Sequence, residues 1–299
     1  MREAANATQR RAEATAAWLL SAPATLLMWT MLLGPCVAVG VMAFTDWEFG
    51  APDFAWIGLE NFEEMARDHV FWRALTNTIL YLALTVPASV ALGLGAALLI
   101  EGVTHGQAFW RAVYFLPVTA TLLAMALVWE FMFHPSVGLV NQAIGLVGLA
   151  PRNWLQDPAL ALPSLAAIGI WQAVGLNMIL FLAGLKAVPR DLYEAAAIDG
   201  ADGAWERFRR VTWPMLGPAL VFVVTITAIR SFQVFDTVQV LTDGGPEKAT
   251  SVLLHRIYQE GFAFLRSGYA AALTLVFLAF TVTLTLLQTW LLDRRAHYG

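Results

Sequence analysis

Apolar residues run along this chain in long charge-free stretches separated by short polar ones, the pattern of helices that cross a bilayer. A transmembrane helix needs about 20 predominantly apolar residues, and seven windows of at least 18 residues carry no charge: 14–45, 74–100, 112–129, 131–151, 158–185, 211–229 and 267–292. The fourth predicts something else. Between Phe131 and Pro151 it holds His134, Pro135, Ser136, Gly138, Asn141, Gln142, Gly145 and Gly148, turn formers and polar groups that lipid leaves unsatisfied. It reads as an external loop with a short interfacial helix. Six spans remain, with residues 1–17 as an N-terminal tail, 18–292 as the spanning domain and 293–299 as a C-terminal tail.

Composition narrows the picture. The chain is 59% hydrophobic and 13% charged, with mean hydropathy +0.63, whereas a soluble surface needs roughly a quarter to a third of its positions charged. A net charge of −4 offers no footprint for nucleic acid. With six spans both termini share a side, and Lys plus Arg decide which. One side holds Arg2, Arg10, Arg11, Arg111, Lys186, Arg190, Arg207, Arg209, Arg210, Arg294 and Arg295; the other holds Arg67, Arg73, Arg152, Lys248, Arg256 and Arg266. Both termini are therefore expected in the cytoplasm. Arg10 and Arg11 before an apolar stretch suggest a signal peptide, but the window after them is far longer than the 7 to 15 residues of an apolar signal core. The first helix is expected to stay. Trp47, Trp56, Phe62 and Trp72 suit an interfacial segment, where rings rest at headgroup level.

Catalytic chemistry is missing where it would be looked for. No glycine has the spacing of a phosphate cradle before Lys and a hydroxyl, so the chain is not expected to be its own motor. Gly93-Leu94-Gly95 lies inside a span and reads as close helix packing. His69, His105, His134, His255 and His297 are scattered, with no pair at i, i+4 to hold a metal; they read as solvated loop residues. Cys36 stands alone, which excludes an internal disulfide. No catalytic, cofactor-binding or metal-binding residue is expected.

The stretch Pro189–Leu216, PRDLYEAAAIDGADGAWERFRRVTWPML, is polar where its neighbours are not. Leu192, Ala195, Ala196 and Ile198 can share an apolar helical face, and Gly200 can supply the left-handed residue that ends the helix. A second helix then follows, with Asp202 as its cap, Trp205, Phe208 and Thr212 at i, i+3, i+7, and Glu206 to Arg210 as an i, i+4 pair. Glu194-Ala195-Ala196, Gly200 and Val211-Thr212-Trp213-Pro214 resemble the EAA loop of binding-protein-dependent ABC importer permeases. Ten residues separate Gly200 from Val211 where the family pattern has nine, and Trp213 stands where Leu is usual.

That resemblance implies a six-helix type I ABC importer permease fold, with the loop over residues 186–215 as the element coupled to a cytoplasmic ATPase. On that pattern the coupling residues are Glu194, Ala195, Ala196, Asp199, Gly200, Ala201, Trp205, Phe208, Arg209 and Pro214. Glu194 would pair with a basic residue of the ATPase, while Trp205 and Phe208 would fix the loop to the chain's own helices. ATP and Mg would be bound in the ATPase dimer and no cofactor by this chain. A second homologous permease subunit and a periplasmic or lipid-anchored solute-binding protein are implied as partners, with lipid around the bundle. The location implied is the bacterial inner membrane.

Phe235-Asp236-Thr237-Val238-Gln239-Val240-Leu241-Thr242-Asp243-Gly244-Gly245-Pro246 resembles the FDxVxxLTxGGP stretch of carbohydrate permeases of the maltose type. Ala249 to Leu253, Ile257 to Phe262 and Gly58 to Phe62 extend the likeness over almost the whole chain. Glycerol-3-phosphate permeases share much of it, which leaves an importer of an anionic sugar derivative open as an alternative. An ion-coupled secondary transporter is the rival from another class, with Glu130 and Asp236 as its only candidate coupling carboxylates.

Ionisable groups inside a span face protein or water. Glu130 lies near a helix end and can reach the interface. Arg230, with Gln233 and Thr237 beyond it on a span extended to Leu241, offers a hydrogen-bonding strip for a solute in transit, or a tie within the bundle. Asp236, at i+6 from Arg230, falls off that face. Trp171, Gln172 and Asn177 are the further pathway candidates, an aromatic and amide set that carbohydrate binding often uses, with Asn77 and Thr119 behind them.

Overall fold

Backbone placed in hydrocarbon must satisfy its own hydrogen bonds, so the apolar stretches become helices. A computed structural model describes residues 2–293, and within its helices the side chains other than those of 2–12, 14, 122, 123, 288, 289 and 291–293. The side chains of Arg2, Arg10 and Arg11, and the tail with Arg294, Arg295 and His297, lie outside the described residues.

The chain opens with α1 (Arg2–Met28), a π-helical turn (Trp29–Leu33) and α2 (Gly34–Met42). After α3 (Glu60–Arg67) come α4 (His69–Gly102), α5 (Gln107–Thr119), α6 (Leu122–Met132) and α7 (Leu139–Leu146). The long α8 (Ala161–Lys186) leads to α9 (Arg190–Ile198), α10 (Ala204–Arg207), a π-helical turn (Phe208–Thr212) and α11 (Trp213–Met215). The chain closes with α12 (Gly217–Phe232), α13 (Asp236–Leu241), α14 (Leu253–Tyr258), a third π-helical turn (Gln259–Ala263) and α15 (Ser267–Asp293). Among the described residues the only β pairing is one bridge between Thr45 and Trp56.

Five helical stretches are long and apolar enough to cross a membrane: Thr15–Met42, His69–Gly102, Ala161–Lys186, Gly217–Leu241 and Ser267–Leu287. The sixth is bent. Where the sequence predicts one span over 112–129, Gln107–Thr119 and Ala124–Met132 meet at 101°. Pro117 inside α5 removes a backbone donor, and Ala120 and Thr121 then take extended backbone. The window 131–151 does not cross. Its one helix is the eight-residue α7, and buried Asn141 ties the loop together, donating to the Pro135 and Arg152 carbonyls and accepting from Arg152 N and Trp154 Nε1 at 2.8–3.0 Å.

Packing divides the chain into two units: residues up to Met65 with Gln259–Val276, and Ala66–Tyr258 with the chain from Phe277 on. In the first unit, none of the most apolar window of the first span is buried. Ala43 packs with Ala271 and Ala272, and Asn61 Nδ2 donates to the Ala43 and Thr45 carbonyls, each at 2.9 Å. Phe62 is half-buried and rests against Phe44 at 5.5 Å. Arg266 reaches Glu64 at 2.6 Å and Glu260 at 3.4 Å, and its hydrogen bond to Glu64 raises its pKa.

In the second unit, Val86, Val90, Ala97 and Ile100 of α4 pack with Met178, Phe181 and Leu182 of α8 and Val223 of α12. Gly93 makes the close approach possible, since a Cβ there would lie 2.6 Å from Asn177 Cβ. Gly95 faces open space, so only the first of the two glycines serves helix packing.

Candidate functional site

The span expected to run unbroken from 211 to Leu241 is interrupted. α12 ends at Phe232, Gln233 and Phe235 leave helical geometry, and α13 begins at Asp236. The break lines a cavity of about 140 Å³ with Arg230, Gln233, Asp236 and Thr237, facing Gln172 and Asn177 of α8 and Tyr81 and Thr85 of α4. A periodicity argument over an intact helix separates Arg230 from Asp236; the break brings both to the same cavity. Arg230, Gln233 and Asp236 are exposed, and among the described residues neither charge has an ion-pair partner in the chain.

Asn177 is 1% exposed. Its Oδ1 accepts from Thr227 Oγ1 at 2.8 Å, while its Nδ2 and the Oγ1 of Thr237 have no partner among the described residues. An unpartnered buried polar atom costs about 1–3 kcal/mol, which a hydroxylated ligand or water in the cavity offsets. Trp171 lies elsewhere: its ring stands edge-on to Trp129 at 5.4 Å, and its neighbour Gln172 lines the cavity in its place. Glu130 is exposed on α6 and does not line the cavity.

The polar stretch after α8 folds as a knob of short helices. α9 ends at Gly200, whose φ of +82° is open to glycine at little strain. Ala201 is fully buried and donates to the Ala196 carbonyl at 2.8 Å, while Arg207 Nε donates to the Ala201 carbonyl at 3.0 Å. Tyr193 Oη and Thr212 Oγ1 lie 3.0 Å apart, linking α9 to the second π turn. The predicted apolar face of α9 is present and largely uncovered: Leu192 is 39% and Ile198 87% exposed, and Glu194, Ala195 and Asp199 are exposed beside them.

Three expectations for the second half of the knob fail. Gly203, not Asp202, precedes α10, with no side-chain cap; Glu206 and Arg210 form no ion pair. Trp205 is 71% exposed and stacks on Phe208 at 5.6 Å instead of fixing the knob to the bundle. The π turn Phe208–Thr212 is the reason: it widens the helix there, so the 3.6-residue period no longer puts Trp205 on the buried side with Val211 and Thr212. Arg209 is exposed, and Pro214 sits in α11 just before α12.

The family model for the binding-protein-dependent transport system inner membrane component matches residues 65–297. The chain belongs to that family. It is 36% identical to the probable ABC transporter permease protein YurN of Bacillus subtilis (strain 168), over 83% of this chain and 86% of that one. To the sn-glycerol-3-phosphate transport system permease protein UgpA of Agrobacterium fabrum (strain C58 / ATCC 33970) it is 31% identical, over 81% and 83%. To the trehalose/maltose transport system permease protein MalF of Thermococcus litoralis (strain ATCC 51850 / DSM 5473 / JCM 8560 / NS-C) it is 33% identical, over 77% and 79%. A chain from the crystal structure of a bacterial ABC transporter that imports the acidic polysaccharide alginate superposes with a TM-score of 0.83 at 24% identity, over 97% of this chain and 100% of that one. That likeness carries the six-helix permease fold.

The permease is thus a multi-pass membrane protein with the all-α fold that its sequence implies. Sequence reasoning passed over the loop that follows its broken span. His255, expected as a solvated loop histidine, is fully buried: Nε2 lies 3.2 Å from Asp243 Oδ1, and a Cβ on Gly244 would lie 2.6 Å from its Cε1. Burial depresses its pKa against the opposing pull of Asp243. Asn77, weighed as a pathway residue, instead donates from Nδ2 to the carbonyls of Lys248 at 3.0 Å and Ser251 at 2.9 Å. Thr78 Oγ1 accepts from Leu253 N at 2.8 Å. The apolar run Val252–Leu254 before His255 was the available sign that this segment turns inward.

Proposed function

We propose that the permease is the membrane channel of an ATP-driven importer for a carbohydrate or carbohydrate-like solute, pushed by a separate ATPase through α9. The observation that carries the coupling is the uncovered apolar face of Leu192, Ala195 and Ile198 beside Glu194, on a helix held in place by Ala201, Arg207 and Tyr193. A rigid knob with an unpartnered apolar face is built to meet protein. On this reading Glu194, Ala195, Ala196 and Asp199 meet the ATPase, while Gly200, Ala201, Trp205, Phe208, Arg209 and Pro214 support the coupling element without touching the ATPase. ATP and Mg belong to an ATPase dimer, and both termini and the knob face the cytoplasm.

A second permease subunit would complete the pathway beside the cavity, and a soluble or lipid-anchored binding protein would deliver solute to the other face. Arg230, Gln233, Asp236 and Asn177 would contact the solute in transit; Trp171 would support Trp129 from outside the cavity. Alternation of the bundle between inward-open and outward-open states follows from differential binding of ATP by the partner.

A second reading, an anionic sugar derivative as solute, is favoured by Arg230. A guanidinium with no carboxylate partner among the described residues is suited to phosphate, sulfonate or carboxylate. The relatives named for sn-glycerol-3-phosphate and for trehalose/maltose support both readings.

Uptake into sealed vesicles tests the proposal. With binding protein, partner subunit and ATPase present, uptake is expected only when ATP is supplied. Uptake by this chain alone on a proton or sodium gradient would overturn it in favour of a secondary transporter, whose coupling carboxylates would be Asp236 and Glu130.

A further inference from the structure

The second half of the knob, which supports α9 from behind, carries exposed groups that the face of α9 does not account for. Trp205, Phe208 and Trp213 form a ladder of rings along one stretch of helix, with centroids 5.6 Å and 6.0 Å apart. Trp205 is 71% and Trp213 46% exposed. Arg209 and Arg210, between the rings in sequence, are exposed and have no ion-pair or hydrogen-bond partner among the described residues. The other side of the same turn is the packed one: Val211 and Thr212 are buried, and Thr212 meets Tyr193. The arginines stop where the charge-free stretch 211–229 begins, so two cations and an aromatic ladder stand at the mouth of a membrane-spanning helix.

Tryptophan settles at the headgroup level of a bilayer, and arginine pairs with a phosphate through two parallel N–H donors. Here both chemistries occur on exposed residues of one short helical stretch that runs directly into a span. We propose that Trp205, Phe208, Trp213, Arg209 and Arg210 form a binding site for the phosphate headgroup of an anionic phospholipid of the cytoplasmic leaflet. The site rests on the reading that the knob faces the cytoplasm. Lipid phosphate neutralises the two arginines, the rings lie among the glycerol backbones, and the lipid anchors the second half of the knob while α9 remains free to be pushed.

The test uses the full-length permease purified from vesicles of equimolar phosphatidylcholine and phosphatidylglycerol, with retained lipids counted by native mass spectrometry. Wild type is expected to retain phosphatidylglycerol in preference. Arg209→Gln with Arg210→Gln should lower that preference on the order of 30-fold, fivefold for each cation near the surface. Arg209→Lys with Arg210→Lys should keep most of it, which separates lost charge from lost fold. Equal phosphatidylglycerol retention by the glutamine variant and wild type would overturn the site. Protection of Trp205→Cys from aqueous maleimide by added ATPase, whether or not anionic lipid is present, would also overturn it, since the face would then belong to protein.

Sidedness is read separately from Ile198→Cys in a Cys36→Ser background, using an impermeant maleimide on intact cells. Labelling only after the membrane is permeabilised supports the cytoplasmic placement. Labelling of intact cells overturns that placement, and the lipid proposal with it, whatever the lipid count.

Discussion

The loop of residues 242–258 and the knob of residues 190–215 are both polar interruptions between apolar stretches, yet they are built in opposite ways. In the loop, Ala249, Thr250, Ser251, Val252, Leu253 and His255 are buried, and Asn77 and Thr78 of α4 hold its backbone with three hydrogen bonds. Thr250 Oγ1 adds a bond to the Gly245 carbonyl at 2.6 Å and lies 2.7 Å from Thr242 Oγ1. The loop's backbone is tied down by its own chain, although Ser251 Oγ and His255 Nδ1 are buried without a partner among the described residues. In the knob, α9, α10 and α11 bury no residue, and apolar groups as large as Ile198 and Trp205 stand uncovered. A loop whose apolar side chains are buried and whose backbone is tied to a neighbouring helix serves as framework; one that leaves its apolar face open is made for something outside the chain. The cavity between α4, α8 and the break in the fifth span is intermediate, partly satisfied through Thr227 and Asn177 and partly left open at Asn177 Nδ2 and Thr237 Oγ1.

The largest effect is expected in the tied-down loop. Asn77→Ala removes the donor to the buried Ser251 carbonyl and a second bond to the Lys248 carbonyl and should lower stability by about 3 kcal/mol, read as a fall in the melting temperature of the detergent-solubilised permease. A variant as stable as wild type would show that the loop does not depend on α4. Next comes the open face. Ile198→Asp should change stability by no more than about 0.5 kcal/mol but weaken binding of the ATPase by about 2 kcal/mol, roughly 30-fold in affinity. Destabilisation without loss of docking would reverse the contrast between the two regions.

Arg230→Gln probes the intermediate case. Uptake of an anionic solute is expected to fall about tenfold, near 1.4 kcal/mol, with melting unchanged because Arg230 has no ion-pair partner among the described residues. Arg230→Lys should recover part of the uptake. A drop in stability with unchanged uptake would make Arg230 a tie of the bundle.

The smallest effect is the pH dependence carried by His255. Unfolded, its imidazole takes a proton near the ordinary 6.5; folded, burial holds that pKa lower. The unfolded chain therefore binds more protons at acid pH. The contribution is present in full above pH 6.5 and is lost as pH falls through the depressed folded value, with Asp243 moderating the loss. Thermal melts of wild type and His255→Gln across that window should diverge only on the acid side. Parallel curves would show that His255 titrates as freely as a solvated histidine.

How much of this was legible in the sequence follows the same division. Spans, the non-crossing window 131–151, the glycine that ends α9 and the apolar face of that helix are local patterns, and composition with periodicity finds them. What failed was whatever depends on a departure from the regular helix. The break at Gln233–Phe235 puts Asp236 beside Arg230 in one cavity, and the π turn Phe208–Thr212 turns Trp205 outward; a fixed 3.6-residue period places both wrongly. Pro117 was visible in the third window, but a proline inside a span is compatible with a straight helix as well as a bent one. Long-range ties such as Asn77 to Lys248, 171 positions apart, leave no local signature.

On the proposed function, α9 is where an external motor pushes. The direct measurement is solute uptake and ATP hydrolysis, side by side, by the assembled transporter in sealed vesicles with the permease carrying Ile198→Asp, together with its melting temperature. The predicted result is a folded permease with a wild-type melt, ATP hydrolysis that no longer responds to loaded binding protein, and no uptake. Wild-type uptake by that variant would contradict the claim.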